Sequence, residues 1–199
     1  MNCRPTTVLI AEDESIILLG FKSFLIQLGY DVVAEAYNGE MAVELAEAMN
    51  PDLLIMDVKM PKLDGIQALE KINSKRNKII PCVFVTAHSD DTLISRAKDS
   101  GAFNYLIKPV TRESLKAAIE IAIQRFEDYI SLSNELSVAQ QALENRKYIE
   151  RAKGYLMDNL NLKEQQALDF MQKKSRDTNK KLIVVAKNIL KIEEAITHD

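Results

Sequence analysis

Four charged side chains carry the chemistry that is legible in this chain: Glu12, Asp13, Asp57 and Lys108. Each follows a short apolar run. Glu12-Asp13-Glu14 comes after Val8-Leu9-Ile10-Ala11, Asp57 after Leu53-Leu54-Ile55-Met56, and Lys108-Pro109 after Tyr105-Leu106-Ile107. Apolar runs of this length between turn signals read as buried strands. In an open parallel α/β sheet the carboxyl ends of neighbouring strands meet at one crevice. Three carboxylates and one ammonium then converge, a set suited to a hard divalent cation and a phosphoryl group. Mg2+ is small and keeps several waters, so one or two carboxylates hold it. Asp13 and Asp57 are the expected direct ligands, with Glu12 acting directly or through water and the backbone carbonyl of Lys59 adding an oxygen. Asp57 is also the expected nucleophile, because a cation offsets repulsion between its carboxylate and an incoming phosphoryl group. Lys108 would pair with one phosphoryl oxygen and the Thr86 hydroxyl with another. Taken singly, each of these residues is an ordinary solvated group at a strand end. Their order and joint occurrence carry the weight.

The elements that must position them alternate from residue 8 to about residue 110. Strands are expected at Val8–Ala11, Val32–Ala36, Leu53–Asp57, Cys82–Thr86 and Tyr105–Ile107. Amphipathic stretches fill the gaps at 15–28, 40–49, 65–75 and 91–100, and another starts at 112. In the first of them Ile16, Leu19, Ser23 and Ile26, with nearby Phe24 and Leu25, follow the helical period. Gly29, Asn38-Gly39, Asn50-Pro51 and Gly101 punctuate the pattern. Five strands alternating with five helices predict a doubly wound, five-stranded parallel sheet.

Composition is that of an ordinary globular protein, 199 residues with 47% hydrophobic and 28% charged side chains. The length leaves room for two small domains. No window reaches the ~18 apolar residues of a membrane span, and because the start Met1-Asn2-Cys3-Arg4-Pro5 runs straight into a strand pattern, no export signal is expected. Cys3 and Cys82 are too few for a disulfide framework. A cytoplasmic protein with reduced thiols is expected. The net charge of −3 hides an asymmetry: residues 144–191 hold 12 Lys/Arg against 6 Asp/Glu, whereas residues 1–125 hold 14 against 17. The two regions are expected to do different jobs.

Residues 6–125 resemble the receiver domain of two-component response regulators. The motifs are Ala11-Glu12-Asp13-Glu14, the run from Met56-Asp57-Val58-Lys59-Met60-Pro61 through Lys62-Leu63-Asp64-Gly65, Val85-Thr86-Ala87, and Lys108-Pro109. The resemblance implies that Asp57 is the phosphoacceptor, charged by a sensor histidine kinase in the presence of Mg2+. It also implies that Thr86 and Tyr105 form a switch pair, and that Lys108-Pro109 is a cis peptide, which X-Pro bonds adopt at little cost. Lys59 and His88 flank the path of an attacking water and are candidates for tuning dephosphorylation; plain surface roles stand equally open. Acidic Mg2+ sites also serve phosphatases, but in a receiver turnover is confined to the protein's own aspartyl phosphate, so no enzyme is expected.

Beyond Thr111, a candidate helix cap, neither Pro nor Gly appears until Gly154, which predicts one long helix. Ile119, Ala122, Phe126 and Tyr129 follow 3-4 spacing, and Leu132, Leu136, Ala139 and Leu143 resume it after a phase slip. A solvated connector and a dimer seam are both compatible with so short a repeat. A break is expected at Asp158–Asn161, with Asn161-x-x-Glu164 as a capping box. A helix with Ala167, Phe170 and Met171 follows, then a last one with Leu182, Val185, Ala186, Ile189 and Leu190 on one face. The division read from the sequence is 1–125 receiver, 126–144 connector with a possible coiled coil, and 145–199 a small three-helix bundle.

The bundle is basic. Lys173, Lys174, Arg176, Lys180 and Lys181 gather at one junction, and Arg146, Lys147, Arg151 and Lys153 form a second cluster. Lys180, Lys187 and Lys191 are expected on a common face of the last helix. A charge run alone is a solvated face; three basic elements behind a phospho-switch point toward nucleic acid. A helix-turn-helix reader of DNA needs a tight turn before a recognition helix with exposed polar readers, and the last helix is mostly apolar. Residues 145–192 instead resemble the ANTAR domain, an RNA-binding antiterminator module, through Ala152-Lys153-Gly154, Leu156-Met157, Glu164, Ala167, Asn179, Leu182 and Val185-Ala186. Met171-Gln172 and Ser175 depart from that pattern, and Gln172 removes a cation. The resemblance implies a phosphorylation-favoured homodimer that grips paired hairpins in leader RNA and so prevents a terminator from forming. The overall wording is similar to regulators of ethanolamine-utilisation operons. Expected RNA contacts are Arg151, Lys153, Gly154, Lys173, Lys174, Arg176, Asn179, Lys180, Lys181 and Lys187, with DNA-binding response regulators as the alternative class.

Overall fold

A computed structural model of the chain describes residues 4–76, 79–87 and 102–197. The stretch expected to form a helix at 91–100 lies outside them, as do Cys3, His88, Gly101 and His198. Five strands are present: β1 (Thr7–Ala11), β2 (Asp31–Ala36), β3 (Leu53–Asp57), β4 (Cys82–Thr86) and β5 (Asn104–Ile107). They form one sheet in the order β2-β1-β3-β4-β5 with every pairing parallel. The described helices are α1 (Ser15–Gln27), α2 (Gly39–Met49), α3 (Gly65–Arg76), α4 (Arg112–Leu160), α5 (Glu164–Thr178) and α6 (Leu182–Thr197). Two compact units result, Met1–Ile130 and Ser131–Asp199.

In the first unit β1, β3 and β4 are apolar at successive positions because both faces of the sheet are covered there. Side chains alternate between faces. Leu9, Ala11, Leu54, Met56, Cys82 and Phe84 join Ala42, Val43, Ala46, Ile66, Leu69 and Ile72 of α2 and α3 in one core. Val8, Ile10, Leu53, Ile55, Val83 and Val85 join Leu18, Phe21 and Leu25 of α1 and Leu115, Ile119 and Ala122 of α4 in the other. Burial pushes the Cys82 thiol far above its ordinary value, leaving an inert core residue.

The periodicity of α1 is as expected, but its phase is not. Leu18, Phe21 and Leu25 are the buried face, whereas Ile16, Leu19 and Ile26 are 86%, 61% and 57% exposed. The helix is apolar on more than one side, so periodicity alone does not choose which side meets the sheet.

Helix starts follow local chemistry. Asn38 Oδ1 accepts from the Met41 amide at 3.0 Å, opening α2, and Asp64 Oδ1 accepts from the Gln67 amide at 2.7 Å, opening α3. Thr111 Oγ1 accepts from the Ser114 amide at 3.1 Å, and Ser114 Oγ accepts from the Thr111 amide at 3.0 Å, a reciprocal pair at the start of α4.

In the second unit Ala152, Leu156, Ala167, Met171, Val185, Ala186 and Leu190 form a small core. Two local expectations are corrected there. α4 runs unbroken to Leu160, and Asn161, at φ 51°, takes the left-handed conformation that ends a helix. Lys163, not Asn161, therefore stands at the cap of α5. Gln166 Oε1 accepts from the Lys163 amide at 2.9 Å, the return half of a capping box; an ammonium has no acceptor for the other half. Lys180 precedes the first turn of α6 and so shares no helix face with Lys187 and Lys191. Among the described residues no helix is long and apolar enough to cross a membrane.

Candidate functional site

The strand order reverses beside β1, with β2 on one side and β3 on the other, and the crevice beyond the carboxyl ends of the strands is where such sheets place their sites. Glu12 and Asp13 follow β1, Asp57 ends β3, Thr86 ends β4 and Lys108 follows β5. Glu12, Asp13 and Asp57 each contribute a carboxylate oxygen to a set lying within 4.8 Å of one another. Lys108 Nζ reaches across 51 residues of sequence to Asp57 Oδ2 at 2.6 Å. The same ammonium donates to Glu12 Oε1 at 3.0 Å and lies 2.9 Å from Glu12 Oε2.

The loop after β3 is folded back to hold Asp57. The Lys59 amide donates to Asp57 Oδ1 at 3.0 Å, and the Gly65 amide donates to the Val58 carbonyl at 2.9 Å. A β-carbon at Gly65 would collide with the Asp57 carbonyl oxygen, and one at Gly39 with the Leu63 carbonyl oxygen. The two glycines therefore let α3 and α2 close on this loop. Thr86 is 4% exposed and its carbonyl accepts from the Lys108 amide at 2.8 Å. The Lys108-Pro109 peptide is cis. Tyr105 is 38% exposed on β5, opposite Phe84.

Glu12 is fully buried and Asp57 is 6% exposed. Burial raises the Glu12 pKa, the Lys108 hydrogen bond pulls against that, and the charge of Asp57 adds to the rise. Burial also draws Lys108 downward, but its hydrogen bonds to Asp57 and Glu12 outweigh this, so the ammonium is held above its ordinary value. Two buried carboxylates against one ammonium leave excess negative charge. Glu12 Oε2 makes no directional hydrogen bond despite its burial. Hard oxygen donors with surplus charge, one of them without a directional hydrogen bond, fit a small divalent cation. Asp13 is exposed, so one side of the cluster is accessible to water. Sequence order marks Glu12 only as a ligand; its direct grip on Lys108 depends on side-chain reach, for which spacing carries no signal.

The basic residues of the second unit fall into two groups. Lys153 is tied down, 2.8 Å from Glu150 and 2.7 Å from Glu164 with its side chain 12% exposed. Those contacts raise its pKa, the Glu150 hydrogen bond foremost, and the Lys153 hydrogen bond lowers that of Glu164. Lys187 Nζ lies 4.7 Å from the centroid of the Tyr148 ring. Arg151, Lys173, Lys174, Arg176, Lys180 and Lys181 are exposed. Asn179 ends α5 at φ 51°, a backbone reason for Asn independent of any ligand. A β-carbon on Gly154 would meet nothing within 4 Å, so among the described residues no other element packs closely there.

Comparison with known proteins agrees with this geometry. Residues 8–120 match the response regulator receiver domain and residues 138–190 the ANTAR domain. The transcriptional regulatory protein PdtaR of Mycobacterium tuberculosis is 44% identical over 186 residues, covering 94% of this chain and 90% of PdtaR. The nitrate/nitrite response regulator protein NarL of Escherichia coli is 35% identical over 61% of this chain and 56% of its own length. Among solved structures, the receiver domain of the putative response regulator NarL from Mycobacterium tuberculosis aligns with a TM-score of 0.56 at 27% identity, over 60% of this chain and 98% of that one. A receiver sheet with its acidic crevice, followed by an ANTAR domain, places this chain in the response regulator family of two-component systems.

Proposed function

We propose that phosphorylation of Asp57 by a sensor histidine kinase switches this protein into a dimer that binds paired hairpins in leader RNA and causes transcription antitermination. The observation that carries the first half is the contact of Lys108 Nζ with Asp57 Oδ2 at 2.6 Å inside the Glu12, Asp13 and Asp57 cluster. Asp57 is fixed at both oxygens, one by the Lys59 amide and one by Lys108. In transfer, an Asp57 oxygen bonds to phosphorus as the P–N bond of the donor phosphohistidine breaks, and the imidazole leaves with the electron pair and takes up a proton. A bound Mg2+ would supply charge neutralisation between acceptor and phosphoryl oxygens, held by Asp13, Asp57, the Lys59 carbonyl and Glu12 directly or through water. Lys108 then exchanges its carboxylate partner for a phosphoryl oxygen, and Thr86 donates to another.

Loss of the Lys108–Asp57 pairing and movement of Thr86 alter the β4–β5 edge, where Tyr105 turns inward. That two-state element is the route to the output unit. Leu132, Leu136 and Leu143 of α4 are 67%, 60% and 58% exposed; a second copy of the chain would cover them. In the output unit Arg151, Lys173, Lys174, Arg176, Lys180, Lys181 and Lys187 would hold phosphates. Gly154 would admit a nucleotide, and Asn179 would read a base edge. Lys153 is the weakest candidate, because contact with RNA would break its two ion pairs. Gel shifts with leader RNA and with promoter DNA, with and without acetyl phosphate, test the reading. Phosphorylation-enhanced RNA binding is expected; preferential DNA binding would return the protein to the DNA-binding class.

A further inference from the structure

Phe170 is the only aromatic residue of α5, and it lies outside the bundle core. The buried positions of α5 are Ala167 and Met171. Phe170 belongs neither to the core they help form nor to the partly buried residues packed against it, and it is 45% exposed. On a helix, the neighbours of a side chain sit three, four and seven residues away. For Phe170 the polar ones are Lys163, Gln166, Lys173, Lys174 and Asp177, all exposed. Lys163, Lys173 and Lys174 make no ion pair among the described residues, in contrast to Lys153. A half-exposed aromatic ring among uncommitted ammonium groups suits a single-stranded nucleic acid, with the ring stacking on a base and the cations holding the phosphates on either side. A duplex presents no free base face to such a ring.

We propose that Phe170 is the stacking platform for an unpaired base of an RNA loop, flanked by phosphate contacts from Lys163, Lys173 and Lys174. The proposal rests on the RNA-binding reading above and adds the residue that distinguishes a loop from a stem. The test uses the full chain phosphorylated with acetyl phosphate, and a pool of stem–loop RNAs with randomised loops carrying 5-iodouridine, which crosslinks to a stacked ring under long-wave ultraviolet light. The adduct should map to Phe170. Phe170→Leu should lose it and bind the pool about tenfold more weakly with an unchanged salt slope, whereas Phe170→Trp should keep both adduct and affinity. Lys174→Ala should lower the salt slope. Wild-type affinity in Phe170→Leu would overturn the proposal and leave RNA binding standing. Failure of the unsubstituted protein to retain any of the pool would overturn the RNA-binding reading together with it. A fall in the dimer fraction of Phe170→Leu by sedimentation would assign the ring to a protein contact and overturn the stacking role.

Discussion

The receiver crevice and the basic unit both concentrate charge, but they organise it in opposite ways. In the crevice, residues from four separate strand ends converge, two of the carboxylates are almost wholly buried, and a single ammonium joins them. In the output unit most of the cations stay exposed on their own helices. Buried charge is costly unless it is paired or binds a partner, so the crevice is strongly constrained to a function. Exposed charge costs little to keep, and its arrangement says less about its use. Substitutions should therefore act sharply in the first region and incrementally in the second.

The largest expected effect is at Asp57. Asp57→Asn keeps the shape of the side chain but removes the charged nucleophile. Incorporation of label from radiolabelled acetyl phosphate should be abolished, with the circular dichroism spectrum unchanged. Persistent labelling would place the acceptor at another residue.

The glycines of the two regions come next in size of effect. Gly65→Ala drives a β-carbon into the Asp57 carbonyl, so the loop must shift. A loss of about 1–3 kcal/mol in chemical denaturation is expected, along with slower labelling. Gly154→Ala, inside α4 and open on its outer side, should stabilise by about 1 kcal/mol, the usual helical difference between the two residues. If a nucleotide approaches there, the same variant should also bind RNA less well. Stabilisation with unchanged RNA affinity would remove Gly154 from the surface.

Coupling between the regions is a smaller effect. Thr86→Ala leaves Asp57 and Lys108 in place, so acetyl phosphate should still label the protein. The rise in dimer fraction on phosphorylation, read by sedimentation, should shrink. An undiminished rise would separate Thr86 from the switch.

The crevice was legible from sequence because topology does the gathering. Once five apolar runs are accepted as parallel strands, Asp13, Asp57, Thr86 and Lys108 have only one place to meet. The Thr111 and Asn38 caps were legible for the same local reason, a short side chain able to reach an amide two or three residues ahead. Three other features were not. α1 is apolar on more than one side, and its inward face depends on the sheet, so Ile16 and Leu19 point out while Leu18 and Phe21 point in. Asn161 and Lys163 compete for one helix boundary, and the left-handed backbone at Asn161 decides it. The clamp on Lys153 joins two helices across 11 residues, and a count of cations cannot distinguish a committed lysine from a free one.

That distinction yields the smallest and most discriminating effect. Lys180 has no carboxylate partner among the described residues, so Lys180→Ala should weaken leader-RNA binding by roughly 1 kcal/mol and lower its salt slope without changing thermal stability. Lys153→Ala should do the reverse, because it removes the bridge between α4 and α5. The sign of its pH dependence follows from the two shifts. Glu164 is lowered from 4.5 by its hydrogen bond to Lys153, so its contribution is full above that value and is lost as pH falls through the depressed folded value. Lys153 is raised from 10.5 by Glu150 and Glu164, so its contribution is full below that value and is lost as pH rises through the raised folded value. The melting temperature of Lys153→Ala should therefore fall below that of the unsubstituted protein across neutral pH, and the gap should close as the carboxylates protonate in acid. A gap that persists unchanged in acid would mean that Lys153 acts through packing of its aliphatic stem. A loss of RNA binding with no gap at neutral pH would return Lys153 to the RNA surface and erase the division between committed and free cations.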